Sequence, residues 1–149
     1  MRAWRNLLRF HALASRALDS DLRSRHGIPI DWYDVMVQLE EHGGRMRMGA
    51  LAEATLFGRA NCTRIVDRMQ RRGLAEREVD PDDHRGRIAV LTRAGRRLLA
   101  EAARTHLAGI EQHFAGRLDD DEAAVLAGVL GRLSASTLLA DEPSTEAGR

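Results

Sequence analysis

Apolar residues recur along the chain at two different periods, and the switches between them outline its elements. Trp4, Leu7, Leu8, His11, Ala14, Leu18 and Leu22 follow three- and four-residue steps, which predicts an amphipathic helix over about residues 4–25. His-Gly-Ile-Pro at 26–29 breaks it, because Gly27 suits a helix end and the residue before Pro29 is pushed out of helical conformation. A second helix is expected from near Asp31 with Val35, Met36 and Leu39 on its apolar face, closed by Gly43 and Gly44. A short extended piece at 45–48 leads into a brief third helix carrying Leu51 and Ala52 and running to about Leu56. Gly58 opens a fourth helix and Gly73 ends it, with Cys62, Ile65, Val66 and Met69 as one stripe. The period then drops to two. Residues 74–79 and 87–91 are strand candidates, and Asp-Pro-Asp-Asp-His-Arg-Gly between them has the composition of a hairpin tip. Thr92 is placed to cap a long helix over about 93–117 with Leu99, Ala103, Leu107, Ile110 and Phe114. Asp119 and Glu122 form an Asp version of the reciprocal capping pair ahead of a last helix with Val125, Leu126, Val129, Leu130 and Leu133.

Three helices followed by a hairpin is the order of a winged helix-turn-helix, in which the last helix reads the major groove and the wing reaches an adjacent groove. The fold expected is therefore mainly α with a small β wing. Its parts are an N-terminal dimerisation helix at 1–30, a DNA-binding body at 31–92, C-terminal dimerisation helices at 93–140, and a polar, acidic, disordered tail at 141–149. The body is too small to cover the apolar stripes of the flanking helices. Packing them against the same helices of a second copy gives a twofold homodimer, whose two heads would meet a pseudo-palindromic double-stranded site. Residues 28–31 and 92–95 join head to dimer helices, and Pro29 and Gly95 suit a hinge there.

Composition narrows the class. At 149 residues with 44% hydrophobic content the chain fits one domain with arms, and its single cysteine, Cys62, rules out a disulfide framework within one chain. No apolar run reaches membrane-spanning length and the start lacks a signal core, so a cytoplasmic protein with no membrane partner is expected. The net charge of +1 hides a strong asymmetry: residues 58–97 hold eleven Arg against six acids, whereas 119–149 hold two Arg against seven. A local basic excess is the footprint expected for nucleic acid, although a solvated face has the same composition.

That excess falls on two places. On the fourth helix the face opposite the apolar stripe shows Ala60, Thr63, Arg64, Asp67 and Arg71, with Arg59 at the helix start and Asn61 and Arg68 flanking. Periodicity alone fits an ordinary solvated face or a helix that enters a groove. At the hairpin tip, Arg85 and Arg87 stand where a wing meets the minor groove, whose negative potential attracts arginine. Three residues read as support: Asp83 is placed to pair with Arg85 and aim it, and Arg77 can reach back from the first wing strand to neutralise Asp67. Asp80 starts the turn.

Catalytic and metal chemistry find little footing. The six histidines (His11, His26, His42, His84, His106 and His113) form no His-x-x-x-His, and none joins a Cys-x-x-Cys. Cys62 lies on the buried stripe, where thiols are usually inert. No catalytic residue, metal or cofactor is expected. For a small effector the candidates are Phe10, His11 and Trp32, one ionisable group among aromatics that would suit a planar acid; the alternative is that Trp32 and Phe10 are core and His11 is a satisfied histidine on an apolar stripe. Arg16 or Arg45 could pair with an acidic ligand.

The stretch Thr-Arg-Ile-Val-Asp-Arg-Met-Gln-Arg-Arg-Gly at 63–73, running through the wing to Gly95, resembles the multiple-antibiotic-resistance regulator (MarR) family of bacterial transcription factors, and the likeness extends over about residues 4–135. The family's Asp-x-Arg wing element falls on Asp83 and Arg85, its Leu-Thr-x-x-Gly step on Leu91, Thr92 and Gly95, and its recognition-helix pattern on Thr63, Arg64 and Asp67. The resemblance implies a homodimer that binds an operator, typically as a repressor, and releases it when a small, often phenolic, ligand binds. Two departures stand out. Gly58 and Asn61 replace the usual Ser or Thr, which shifts phosphate contact to Arg59 and backbone N–H groups, and His84 replaces a common Arg. The rival reading is a helical adaptor that kept the winged-helix body without operator binding.

Overall fold

The computed structural model describes residues 1–140, so the expected tail at 141–149 lies outside the described residues. The element order is α1 (Arg2–His26), α2 (Ile30–Glu41), β1 (Arg45–Arg47), α3 (Met48–Ala54), α4 (Arg59–Arg71), β2 (Ala75–Val79), β3 (Arg87–Leu91), α5 (Arg93–His113), a 3-10 turn (Ala115–Arg117) and α6 (Asp120–Ala140). The chain divides into two compact units, Met1–Ile110 and the residues from Glu111 onward.

In the first unit a three-stranded antiparallel sheet has the order β1-β3-β2. Met46 on β1 and Arg77 on β2 both face Ala89 across the central strand. The extended piece read at 45–48 is thus the third strand of the wing sheet, and it fastens the wing to the start of α3. Alternation on β3 sends Ala89 and Leu91 to one face, and Ile88 beside them is buried on the other. The core joins Leu22 of α1, Ile28, and Val35, Met36 and Leu39 of α2 to Leu51 of α3 and to Cys62, Val66 and Met69 of α4, all fully buried. This is the stripe that periodicity picks out on each of α2, α3 and α4.

Gly73 takes φ +68 and ends α4, where a Cβ would be strained. The chain then turns so that the Leu74 carbonyl accepts the Thr92 N–H at 3.1 Å. Thr92 caps α5 through its hydroxyl, which accepts the Gly95 N–H at 3.0 Å and donates to the Gly73 carbonyl at 2.7 Å. Gly95 departs from the expected hinge. It is buried, and a Cβ there would stand 2.2 Å from the Leu74 oxygen and 2.6 Å from Leu91 Cδ1. Glycine is needed at this position for a close helix–strand approach, and the joint is clamped.

The flanking helices leave apolar residues uncovered in the single chain, and one expected helix boundary moves. Only Leu22 of α1 is buried, whereas Trp4, Leu7, Leu8, Phe10 and Leu13 stay exposed in the single chain. The helix expected over 93–117 stops at His113: Phe114 leaves helical conformation (φ −137, ψ −74) and Arg117 Nε folds back to donate to the Gln112 carbonyl at 3.1 Å, capping the helix end. The second unit then starts α6 with the reciprocal cap read from the sequence: Glu122 N–H to Asp119 Oδ1 at 2.8 Å and Asp119 N–H to Glu122 Oε2 at 3.1 Å. Val125, Val129 and Leu133 of α6 are exposed.

Candidate nucleic-acid interface

The interface candidate is built on α4 and the β2–β3 wing. The α3–α4 connection passes through Leu56, which has φ +56 and is exposed, to Gly58 at the start of α4. No side chain caps that start, so its first N–H groups point outward with the positive end of the helix dipole, a geometry that receives anions. Arg59, Ala60, Thr63, Arg64 and Arg68 are exposed, Asn61 is half-buried, and Cys62, Ile65, Val66 and Met69 hold the other face in the core. Burial pushes the Cys62 thiol up despite the nearby Arg77 charge, which removes the thiolate needed for reactivity.

Asp67 is half-buried on the same helix, and its pairing with Arg77 is present: Arg77 Nη1 donates to Asp67, and Nη2 donates to the Thr63 carbonyl at 2.9 Å. One guanidinium therefore neutralises the single carboxylate of the α4 reading face and ties the wing to α4.

At the wing tip the aspartates act on the backbone. Asp83 Oδ1 accepts the N–H of Arg85 at 3.0 Å, so it fixes the Arg85 main chain rather than pairing with its guanidinium, as had been expected. Arg87 Nη1 donates to the carbonyls of His84 (3.1 Å) and Gly86 (2.9 Å), which brace the loop. Arg85 is exposed, and no ion pair holds its guanidinium among the described residues. Asp80 does start the turn: its Oδ1 accepts the Asp82 N–H at 3.0 Å and its own N–H donates to the Gly86 carbonyl at 3.2 Å. It is only 2% exposed.

Between α3, α4 and the wing lies a cleft of about 580 Å³ lined by Arg47, Arg59, Thr63, Arg77, Arg85 and Arg87 among others. Sequence reasoning missed Arg47 because it sits outside the basic window at 58–97. The signal was present: outward Arg45 and Arg47 alternate with inward Met46, so the short extended piece is a sheet edge with two arginines on one face. Arg47 Nε lies 2.5 Å from Asp80 Oδ2, and its Nη2 reaches Asp80 Oδ1 at 3.3 Å and Asp82 at 3.4 Å. Arg45 pairs with Glu78 at 2.7 Å rather than standing ready for a ligand.

The effector candidates are not gathered. Trp32 is 7% exposed in the core, with the Arg72 guanidinium 5.4 Å from its ring centroid. Phe10 and His11 lie on the exposed part of α1, with Phe10 about 18 Å of helix from Leu22, the α1 residue that joins the Trp32 cluster. No group of three His, Cys, Asp or Glu able to hold a metal occurs among the described residues. No described helix is long and apolar enough to cross a membrane.

Comparison with known proteins agrees with this geometry. Residues 26–86 match the model of the MarR family. The transcriptional regulator HosA of Escherichia coli O111:H- is 33% identical over 116 residues, covering 76% of this chain and 84% of HosA. Among solved structures, AbsC, a MarR family transcriptional regulator from Streptomyces coelicolor, superposes with a TM-score of 0.83 at 32% identity over 91% of each chain. Sco3205 from the same organism, a MarR family regulator solved in complex with DNA, gives a TM-score of 0.84 at 31% identity over 95% of this chain and 87% of its own.

Proposed function

The chain belongs to the MarR family of transcriptional regulators, and from that premise we propose that it is a homodimer that binds a pseudo-palindromic operator and represses the adjacent genes until a small effector releases it. The observation that carries DNA binding is the convergence of Arg59, Arg85 and Arg87 on one cleft beside the uncapped start of α4. The carboxylate on α4 that would repel phosphate is neutralised there by Arg77. In this reading α4 enters the major groove with Thr63, Arg64, Asn61 and Ala60 toward base edges, Arg59 and Arg68 toward phosphates, and the wing arginines toward the adjacent minor groove. Sco3205, solved in complex with DNA, supports DNA as the partner.

Dimerisation is supported by the apolar surface that the single chain leaves exposed: Trp4, Leu7, Leu8 and Leu13 on α1, and Val125 and Val129 on α6. On this reading residues 31–92 form the reading head, and α1, α5 and α6 supply the interface. The effector reading rests on the family resemblance alone, and the burial of Trp32 moves its lining toward Phe10, His11 and the rest of α1.

A mobility-shift titration with the intergenic DNA beside the gene tests the proposal. A saturable shift that weakens steeply with salt and survives competitor DNA is the expected result. Absence of any shift, with salt-insensitive capture of a protein partner, favours the helical adaptor instead.

A further inference from the structure

We propose that Arg47 and Asp80 are a positioning pair that holds the wing at the angle DNA binding needs, so that a buried carboxylate at the edge of the interface strengthens, rather than opposes, binding to a polyanion; this rests on the operator-binding reading above. The sheet order places the pair. β1 and β2 occupy the two edges and β3 lies between them, with Arg47 and Glu78 both opposite Ile88. Two diagonal ion pairs therefore cross β3 side by side: Arg45–Glu78 at 2.7 Å and Arg47–Asp80 at 2.5 Å.

The two rungs differ in kind. In the first, both side chains are about half exposed, at 54% and 47%, and such a pair contributes little. In the second, Asp80 is 2% exposed against 60% for Arg47. A carboxylate taken out of water persists only if its lone pairs are filled. Here the Asp82 N–H and two nitrogens of the Arg47 fork fill them. The same carboxylate thus closes the tip turn and grips the residue at the N-terminal boundary of α3. Gly86 completes the lock, because a Cβ there would stand 3.1 Å from Asp80 Cβ. Through this pair the tip bearing Arg85 and Arg87 is fixed to the helix-turn-helix instead of swinging on two strands.

Electrostatics alone and positioning predict opposite signs. Asp80→Asn removes a negative charge beside the DNA, so charge alone tightens binding. Positioning predicts that binding weakens by about tenfold or more, and that the slope of log K against log salt falls by about 1.8 per head as Arg85 and Arg87 disengage, at about 0.9 for each phosphate charge neutralised. Glu78→Gln, which breaks the exposed rung and removes the same charge, should bind no more weakly than wild type. Without DNA, amide exchange at residues 80–88 should accelerate in Asp80→Asn while α4 stays protected.

Binding by Asp80→Asn as tight as wild type overturns the proposal. So does weaker binding at an unchanged slope, which marks a loss of folded protein only. Unchanged wing exchange overturns it as well. If wild type shifts no DNA, the operator reading fails, and the exchange experiment still decides whether the pair holds the wing. Should Asp80→Asn fold poorly, Arg47→Gln serves: a slope loss well above the roughly 0.9 of one phosphate contact supports positioning, and a loss at or below it overturns it.

Discussion

Arg77 on β2 clasps Asp67 on α4 with one guanidinium nitrogen and the Thr63 carbonyl with the other. It thereby neutralises the reading helix's own carboxylate. Asp67 is 43% exposed, so the pair stabilises the fold by no more than about 1 kcal/mol. Its larger effect falls on DNA. Arg77→Ala should bind operator more weakly with a small change in melting temperature, and the double variant with Asp67→Asn should recover much of that loss. Equal affinities for the single and double variants in a mobility-shift titration would show that Asp67 never meets phosphate.

Among the described residues Arg85 is held only through its backbone, which leaves its guanidinium available to DNA. Arg85→Ala should weaken operator binding, lower the salt slope by about 0.9 per head and leave thermal unfolding unchanged. Retention of wild-type affinity would remove the wing from the interface.

Gly95 abuts the Leu74 carbonyl, and added bulk there meets backbone that has no free rotamer to retreat to. Gly95→Ala should therefore destabilise by about 1–3 kcal/mol, the range for overpacked sites. Urea unfolding measures it. An unchanged midpoint would mean that α5 and the Gly73–Leu74 turn are free to separate, as a hinge requires.

Much of this was legible in the sequence because local rules and global packing agree. The stripe on α4, the Thr92 cap, the Asp119–Glu122 cap and the Arg77–Asp67 pair each follow from spacing along one or two neighbouring elements. What escaped depends on distant segments meeting. Arg47 reaches Asp80 only because β1 adds to the far edge of the wing sheet, a pairing that three residues cannot advertise. Gly95 looked like a hinge because glycine has the same signature whether it frees the chain or admits a close neighbour. Of the two readings open for Trp32 and Phe10, effector lining or core, Trp32 is core and Phe10 is exposed, since periodicity does not tell which aromatic the neighbouring helices will cover.

The exposed apolar residues of α1 and α6 give the homodimer a direct test. Leu8→Glu and Val129→Glu should each lower the mass seen by light scattering from dimer toward monomer, because a dimer would bury the new charge without a partner. Since each residue is exposed in the single chain, neither change should unfold the subunit. A monomeric wild type at micromolar concentration would sink the dimer.

His106 on α5 gives the fold a pH dependence. Its ring stacks at 4.4 Å, tilted, on Tyr33 of α2, and its buried Nδ1 has no hydrogen-bond partner among the described residues. Burial lowers its pKa from the ordinary 6.5, so the native state holds the neutral ring where the unfolded chain takes a proton. Below about pH 6.5 the unfolded state then binds more protons, and stability falls as pH falls until the native value is also passed. Asp34 acts with the opposite sign in a lower window. Burial, then the charge of Asp31, raises its pKa above 3.8, so the native state binds the extra proton and acidification there favours the fold. Between about pH 7.5 and 5.5 the histidine should therefore dominate, with a slope below the single-proton ceiling of about 1.4 kcal/mol per pH unit. Urea unfolding of wild type across that range should show the decline, and His106→Gln, which cannot take the proton, should flatten it. A His106→Gln protein that keeps the full slope would assign the pH dependence to another group and leave the Tyr33–His106 contact a matter of packing alone.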